Sequence, residues 1–300
     1  MTKHQRVIAL MASAAIAAIA CNPAAAQSYP SRPIELVVPT SAGSGTDIYA
    51  RVVADIARRE KLLPQPFVVQ NRTGGGSVIA YNYFKTNRGD PHVTLAATGS
   101  IVIMATRPDV NIGLENYTPL ALFAVDPQAI MVAADSPYKS LKELVEAAQK
   151  QPNGIVCAIT NPLGSGRLVV HLLEKLAPGA KFKFITFKGG GEAVTSVAGG
   201  HTHFTTENLS EGLSLIEGKK LRVLALTSQR RMPQLPDLPT ATEAGYQVEA
   251  GTIRGFVLPA AVPAEAAKTM EAMLEKAHKT QLWKDHAARH YYEDRYLGSA

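Results

Sequence analysis

Apolar and polar positions along this chain follow two periods that take turns. Short β-branched or apolar runs predict strands at Ile34–Pro39, Pro66–Gln70, Val93–Ala97, Ala129–Ala133, Ile155–Ile159, Phe182–Phe187 and Arg222–Thr227. Between them the spacing becomes helical. Ile48, Val52 and Ile56 are spaced by four, with Tyr49 and Val53 beside them, and predict a helix from Thr46 to Arg59. Ser140 and Glu143 have the spacing of a capping box ahead of a stripe of Leu141, Leu144, Val145 and Ala148. Leu168, Leu172 and Leu176 repeat at helical spacing, and Pro263–Lys279 reads as an Ala-rich helix with Met270 and Leu274 inward. Alternating strands and helices predict an α/β fold with parallel sheets covered by helices. In such sheets ligands bind beyond the carboxyl ends of the strands, at loops leading into helices. Those loops are where this chain places its Gly, Ser, Thr and Asn. No internal repeat, low-complexity linker or long polar hinge divides the chain, so two domains would be joined through strands.

The N-terminus breaks the pattern. Met1–Arg6 is short, polar and basic, Val7–Ala20 is an apolar run, and Ala24-Ala25-Ala26 offers small residues at A-x-A positions. This is the pattern of a cleavable secretory signal peptide over residues 1–26, with the mature chain starting at Gln27. The run is short against the roughly 20 apolar residues of a spanning helix, and no later segment reaches that length. A soluble exported protein is expected. Cys21 keeps a lipoprotein alternative open, although Ala18-Ile19-Ala20 before it lack the Leu usual in that signal. With Cys21 removed, Cys157 would remain as the single cysteine, without an internal disulfide. Its place within Ile155–Ile159 makes it a small core hydrophobe.

Composition bounds the class. The 300 residues, 46% hydrophobic and 19% charged, suit a folded protein of one large or two medium domains. The net charge of +6 is partly carried by Lys3 and Arg6; without those two of the 31 Lys and Arg, 29 face 25 Asp and Glu. The charges are scattered, with no basic stripe and no stacking aromatics, so nucleic acid is not an expected partner. A mild positive field would help steer anions towards a cleft.

Three loops carry candidate chemistry. Pro39–Asp47 contains Thr40, Gly43, Ser44, Gly45, Thr46 and Asp47 between a strand and a helix. Small residues admit a ligand close to the backbone, and a helix N-terminus adds unsatisfied N–H donors and partial positive charge. That combination suits a carboxylate. The same residues equally describe a plain capped turn, with Asp47 stabilising the first helical turn. No Gly-Lys-Ser/Thr follows, so this is not a P-loop. Asn71–Gly76 repeats the logic, its three glycines calling for a close backbone approach or a left-handed turn. Asn161–Gly166 is the third. Thr98-Gly99-Ser100 follows another strand end.

Enzyme motifs of the GxSxG, HExxH, CxxC and EF-hand kinds do not occur, so neither catalytic residues nor a cofactor are expected. His201 and His203 would share one strand face, but they lack a third ligand at short spacing and no metal is expected. Arg254 stands between Ile253 and Gly255-Phe256 in an otherwise apolar segment. It either meets a ligand carboxylate or pairs with a nearby acid.

In order, the chain shows Tyr29-Pro30-Ser31-Arg32-Pro33-Ile34, Val38-Pro39, Gly43-Ser44-Gly45-Thr46-Asp47, Ala50-Arg51, Val68-Val69-Gln70-Asn71-Arg72 and Gly74-Gly75-Gly76. Later come Phe187-Lys188-Gly189, Gly199-Gly200, Asn208-Leu209, Lys220–Ser228, Arg231, Leu235–Thr240 and Glu243-Ala244-Gly245. This series resembles the solute receptors of tripartite tricarboxylate transporters, the Bug-type receptors, over nearly the whole mature chain. The resemblance implies a two-lobed α/β periplasmic-binding-protein fold, a Venus flytrap of type II kind. Lobe 1 would comprise residues 27–124 plus 228–300, and lobe 2 residues 125–227. It implies a monomeric periplasmic binding protein, not an enzyme, that captures a small carboxylate and delivers it to membrane permease subunits. The ligand classes implied are di- or tricarboxylates, carboxylated aromatics, amino acids or nicotinate-like acids.

By the same resemblance, Thr40, Gly43, Ser44, Gly45, Thr46 and Asp47 with Asn71, Gly75 and Gly76 would hold the carboxylate through backbone N–H groups and bridging water. The other lobe would add Thr160, Gly164 and Ser165, and the acid–Asn pair Glu207-Asn208. Ser100 and Arg254 complete the candidate site. A sensory adaptor presenting its bound form to a membrane kinase is an alternative reading, and a secreted hydrolase a third.

Several positions depart from the family pattern. An aromatic and prolines are usual where Thr40, Ser41 and Ala42 stand, and a Gly-Asn-Gly-Thr run where Asn161-Pro162-Leu163-Gly164 stands. Asp is common at Glu207, and a Trp-Phe pair at Ile253-Arg254. Thr40 and Arg254 predict a more polar pocket and a ligand with a second anionic or strongly polar group. Family members usually continue past Tyr291–Ala300 into a further helix, whose absence would leave apolar surface on lobe 1.

Overall fold

The computed structural model describes residues 29–106 and 112–299. The expected signal peptide, Cys21 and Gln27 lie outside the described residues.

The first strand, β1 (Ile34–Val38), lies between β2 (Phe67–Asn71) and β3 (Val93–Ala97), parallel to both. Being central, it buries Ile34, Leu36, Val37 and Val38 completely. Each of these strands runs into a helix: α1 (Gly45–Arg59), α2 (Val78–Thr86) and α3 (Ser100–Ala105). A long strand, β4 (Tyr117–Ala133), leaves this sheet for a second one. There α4 (Leu141–Lys150), β5 (Ile155–Ile159), α5 (Ser165–Leu176), β6 (Phe182–Thr186), α6 (Gly190–Ala198), β7 (Phe204–Asn208), α7 (Leu209–Glu217) and β8 (Leu221–Leu226) follow in turn. The chain returns along β9 (Gly251–Pro259) and ends with α8 (Ala264–Lys279), α9 (Gln281–Arg289) and β10 (Glu293–Gly298).

The strand order is β2-β1-β3-β9-β4-β7-β5-β6, with β8 and β10 also on β4. The ladder between β4 and β9 ends at Pro127↔Gly251, and that between β4 and β7 begins at Gln128↔Asn208. Pro127 thus falls where β4 passes from one sheet to the other. The expected parallel pairing holds for β1/β2, β1/β3, β5/β6 and β5/β7. The pairs made by β4 and β9 are antiparallel.

Helices cover both faces of each sheet. Tyr49, Val53 and Ile56 of α1 pack with Met270 and Leu274 of α8 and with Trp283 of α9. On the other face Tyr81 and Phe84 of α2 meet Met104 and Tyr117. In the second sheet Leu144 and Val145 of α4 pack with Phe204 and with Val169, Val170 and Leu173 of α5. This corrects the expected face of α5: Leu168 and Leu176 are 44% exposed, while the row one residue further on is buried. A four-residue repeat locates a helix but does not choose between adjacent stripes. Ile48, at 37% exposed, departs from its stripe in the same way.

Residues between β8 and β9 pack on the second sheet. Met232, Leu235 and Leu238 join the cluster of Met131 and Leu226, and Ala241 and Val248 join that of Leu144. Among the described residues no helix is long and apolar enough to cross a membrane. Cys157 is free and fully buried. His201 and His203 are exposed, and the His203 Nδ1 accepts the Val156 N–H at 3.0 Å.

Candidate ligand-binding site

Loops beyond β1, β2 and β3 and loops beyond β5, β6 and β7 surround one cavity of about 400 Å³. Thr40, Ser44, Thr46, Gly76, Ser100, Thr160, Gly164, Ser165, Glu207, Asn208 and Arg254 line it. Gly43, Gly45, Asp47, Asn71 and Gly75 stand behind this wall.

The first loop shows how these residues divide the work. Ser44 caps α1, its Oγ accepting the Asp47 N–H at 3.4 Å and meeting the Thr40 Oγ1 at 2.6 Å. The Asp47 carboxylate accepts the Gly43 N–H at 2.9 Å, the Arg51 Nε–H at 2.9 Å and the Asn71 Nδ2–H at 2.8 Å. Asn71 also donates to the Thr40 carbonyl at 3.0 Å. Burial works to raise the Asp47 carboxyl, but these hydrogen bonds, led by Arg51, hold it below its ordinary value. Asp47 and Asn71 therefore shape the loop, and Thr40, Ser44 and Thr46 face the cavity from it. The second loop keeps φ positive through Gly74, Gly75, Gly76 and Ser77, at 123°, 59°, 63° and 82°. Only glycines adopt such a run at low cost, which explains the three in a row.

The other wall is acidic. The Glu207 Oε1 accepts both the N–H and the Oγ1–H of Thr160, each at 2.9 Å. Burial, and then the charge of Glu211, pushes the Glu207 carboxyl up to about 8. Burial also raises Glu211, opposed by Arg254 and by the Gly45 N–H at the start of α1. A Cβ on Gly190 would overlap the Glu211 carboxylate, and one on Gly45 would lie 3.4 Å from its Oε1 and 2.6 Å from the Arg254 Nη2. The two glycines thus admit Glu211 between the N-termini of α1 and α6.

Arg254, 1% exposed, lines the cavity, pairs with Asp126 of β4 and donates to the Thr46 Oγ1 at 3.1 Å. The neighbouring Thr252 hydroxyl donates to the Asn208 Oδ1 at 3.1 Å and meets the Ser165 Oγ at 3.0 Å. The two sets of loops touch elsewhere as well. The Ser41 Oγ–H reaches the Lys188 carbonyl, and the Asn161 Nδ2–H the Ser100 Oγ, each at 3.5 Å. Leu163 packs against the buried cluster that Tyr81, Phe84 and Ile101 form on the first sheet. These contacts join loops of the two sheets beside the cavity.

Sequence reasoning missed Glu211, Thr252, Thr98 and Ser77 on the cavity wall, and Asp126 behind it. Thr252 and Arg254 are two apart on β9, so strand alternation could have placed them on one face. Glu211 lies in the first turn of α7, where an acid reads as a partner for the helix dipole.

The profile described as "Tripartite tricarboxylate transporter family receptor" matches residues 49–293. BugT of Bordetella pertussis is 33% identical over 251 residues, covering 82% of this chain and 75% of that protein. The chain belongs to the tripartite tricarboxylate transporter receptor family. Its fold is that of the family's two-lobed solute-binding proteins, and its place among those receptors makes it a binding protein and not an enzyme. A TctC solute-binding protein from Polaromonas, solved without ligand, is 28% identical with a TM-score of 0.68, over 90% of this chain and 92% of that one. R. palustris Rpa4515, solved with adipate, is 26% identical with a TM-score of 0.81, over 89% of each chain.

Proposed function

We propose that this receptor works in the periplasm as a monomer, captures a small carboxylate between its two lobes and delivers it to the membrane permease of a tripartite tricarboxylate-type transporter. The observation that carries this reading is the cavity where strand-end loops of both sheets converge, rimmed by hydroxyls and helix N-termini. Such ends favour anions, and the relative solved with adipate binds a carboxylate. The ligand is sought among di- and tricarboxylates and carboxylated aromatics. Its contacts are Thr40, Ser44, Thr46, Gly76 and Ser100 from one lobe, and Thr160, Gly164, Ser165 and Asn208 from the other. Ligand bridging the lobes stabilises the closed state through its differential affinity.

Export proceeds through a cleavable signal at residues 1–26 rather than a lipid anchor at Cys21. The second lobe begins where β4 crosses and ends at Gly251 rather than near 228, since residues 232–248 pack on the second sheet. A thermal-shift screen of the chain lacking residues 1–26, against carboxylates and their amides, tests the function. At a hundredfold excess over Kd, a ligand stabilises the protein by about 2.7 kcal/mol. A shift with an acid that disappears with its amide supports carboxylate capture. A folded protein shifted by no acid rejects it.

A further inference from the structure

Glu211 places a carboxyl group of the chain itself where the cavity would otherwise receive an anion. It lies in the first turn of α7 and reaches the cavity wall. There it stands between the first residues of two other helices, Gly45 of α1 and Gly190 of α6. A Cβ on Gly190 would overlap the Glu211 Oε2, and one on Gly45 would lie 3.4 Å from its Oε1. The two glycines therefore leave a space fitted to this carboxyl. The Arg254 Nη2 flanks Gly45 as well, 2.6 Å from the same Cβ position. Burial works to raise the Glu211 carboxyl, whereas the charge of Arg254 and the Gly45 N–H favour its ionised form. Open helix N-termini beside a guanidinium are what a carboxylate seeks. Here the chain supplies that carboxylate, so the seat is filled before a ligand arrives. Glu207 beside it and Asp126 behind it add two further acids. Another anion at this place would meet their repulsion.

We propose that Glu211 is a specificity-determining residue that occupies one anion seat of the cavity and limits the ligand to a single carboxylate. This rests on the carboxylate-capture reading above and narrows it. The ligand's own carboxylate is left to another part of the wall, where loops of the two sheets meet at Gly76, Ser100 and Asn161. A Cβ on Gly76 would lie 3.5 Å from the Asn161 Oδ1, and the Asn161 Nδ2–H reaches the Ser100 Oγ at 3.5 Å. The second anion that Thr40 and Arg254 predict from sequence is then Glu211 itself. A ligand with a carboxylate at both ends would have to displace Glu211 from the Gly45 N–H and from Arg254, and then lie against Glu207. Discrimination of this kind comes from a group built against the wrong ligand and not from a new contact to the right one.

Isothermal titration of the wild-type protein with pairs that exchange a methyl for a carboxylate tests this: butyrate against succinate, pentanoate against glutarate, hexanoate against adipate, and p-toluate against terephthalate. In each pair that binds, the monocarboxylate is expected to bind more tightly, by roughly tenfold or more. Glu211→Ser vacates the seat and should erase or reverse that preference, chiefly by strengthening the dicarboxylate. Glu211→Gln keeps the seat filled without the charge and should relax the preference less than Glu211→Ser does. If neither variant folds, the wild-type comparison decides alone. Equal or tighter binding of the dicarboxylates by wild type overturns the inference while leaving carboxylate capture intact, as does a preference undiminished in folded Glu211→Ser. Binding of no acid by folded protein overturns the carboxylate reading, and this inference with it.

Discussion

Arg254 and Asp126 sit on adjacent antiparallel strands, β9 and β4, and form an ion pair whose side chains are 1% and 0% exposed. The pair lies where β4 crosses between the sheets. The Asp126 Oδ2 also accepts the Ser210 Oγ–H at 3.0 Å, and its main-chain carbonyl accepts the Asn208 Nδ2–H at 2.9 Å. One residue thus ties β9 of the first sheet to β7 and α7 of the second. Burial raises the Asp126 carboxyl, and Arg254 opposes it. Removing one member of such a pair strands the other without a countercharge, which costs about 3–5 kcal/mol. Asp126→Asn should lose stability on that scale in urea denaturation. The double variant Asp126→Leu/Arg254→Met should lose less than either single one, because it leaves no buried charge behind. A double variant as unstable as the sum of its parts would show that the pair has no special coupling.

Two glycines make opposite predictions. A Cβ on Gly166 would overlap the main-chain carbonyl of Thr206, which cannot swing aside as a side chain does. Gly166→Ala should cost about 1–3 kcal/mol, the usual penalty of overpacking. Gly191, inside α6, has nothing within 4 Å of a built Cβ. Gly191→Ala should add about 0.4–1 kcal/mol by restricting the unfolded chain. Thermal denaturation of the two variants side by side gives the comparison, and a stabilised Gly166→Ala would contradict the described packing.

The strands and helices that the sequence displays are those whose pattern is local. β1, β3 and β5 read as apolar runs because they are buried centrally, and α1 and α4 read as amphipathic because one face packs on a sheet. The crossing strands were less legible. β4 contains Pro119, Asp126 and Pro127, and β9 contains Arg254 and Gly255, all of which interrupt a strand pattern. Those charges are tolerated because they meet each other across 128 positions of sequence, a relationship no local window contains. The candidate site shows the same limit. Thr40, Ser44, Gly76 and Ser100 follow from loop chemistry, whereas the acidic wall depends on where α7 comes to rest.

Behind the first sheet, His286 is packed against Trp283 and Tyr292, and its Nε2 has no hydrogen-bond partner among the described residues. Burial, then the charges of His290, Arg254 and Arg289, lowers its pKa to about 3. The unfolded chain binds that proton near pH 6.5, well before the folded protein does. Its contribution to stability is therefore present above pH 6.5 and lost as the pH falls towards 3, at up to about 1.4 kcal/mol per pH unit. Raised carboxyls such as Glu207 act in the opposite sense over part of this range, so the informative quantity is the difference between two proteins. His286→Phe should be progressively favoured over wild type on acidification from pH 6.5, with His278, also lowered, retaining part of the effect in both. A stability difference that stays constant from pH 7 to 4 would exclude a neutral buried His286.

The pH dependence of ligand binding separates an amine-bearing ligand from a plain acid by sign. Glu207 faces Glu211 of α7, Asp126 of β4 and the Thr160 donors at the end of β5, with Arg254 of β9 nearby. Burial and the Glu211 charge raise it to about 8, so near neutral pH it holds a proton in the unliganded protein. A ligand ammonium favours the ionised carboxylate and must expel that proton. Affinity should then strengthen as the pH rises from 6 towards 8, by up to tenfold per unit, and level off above. A plain acid that accepts a hydrogen bond from protonated Glu207 should instead weaken as the pH passes 8. Glu207→Gln removes the titrating group and should flatten either profile. Titration calorimetry from pH 6 to 8.5, in two buffers of different ionisation heat, reads both the affinity and the proton released. Proton release with the amine-bearing acid, absent in Glu207→Gln, would place the ligand nitrogen against this carboxylate; proton uptake would place an anion there instead.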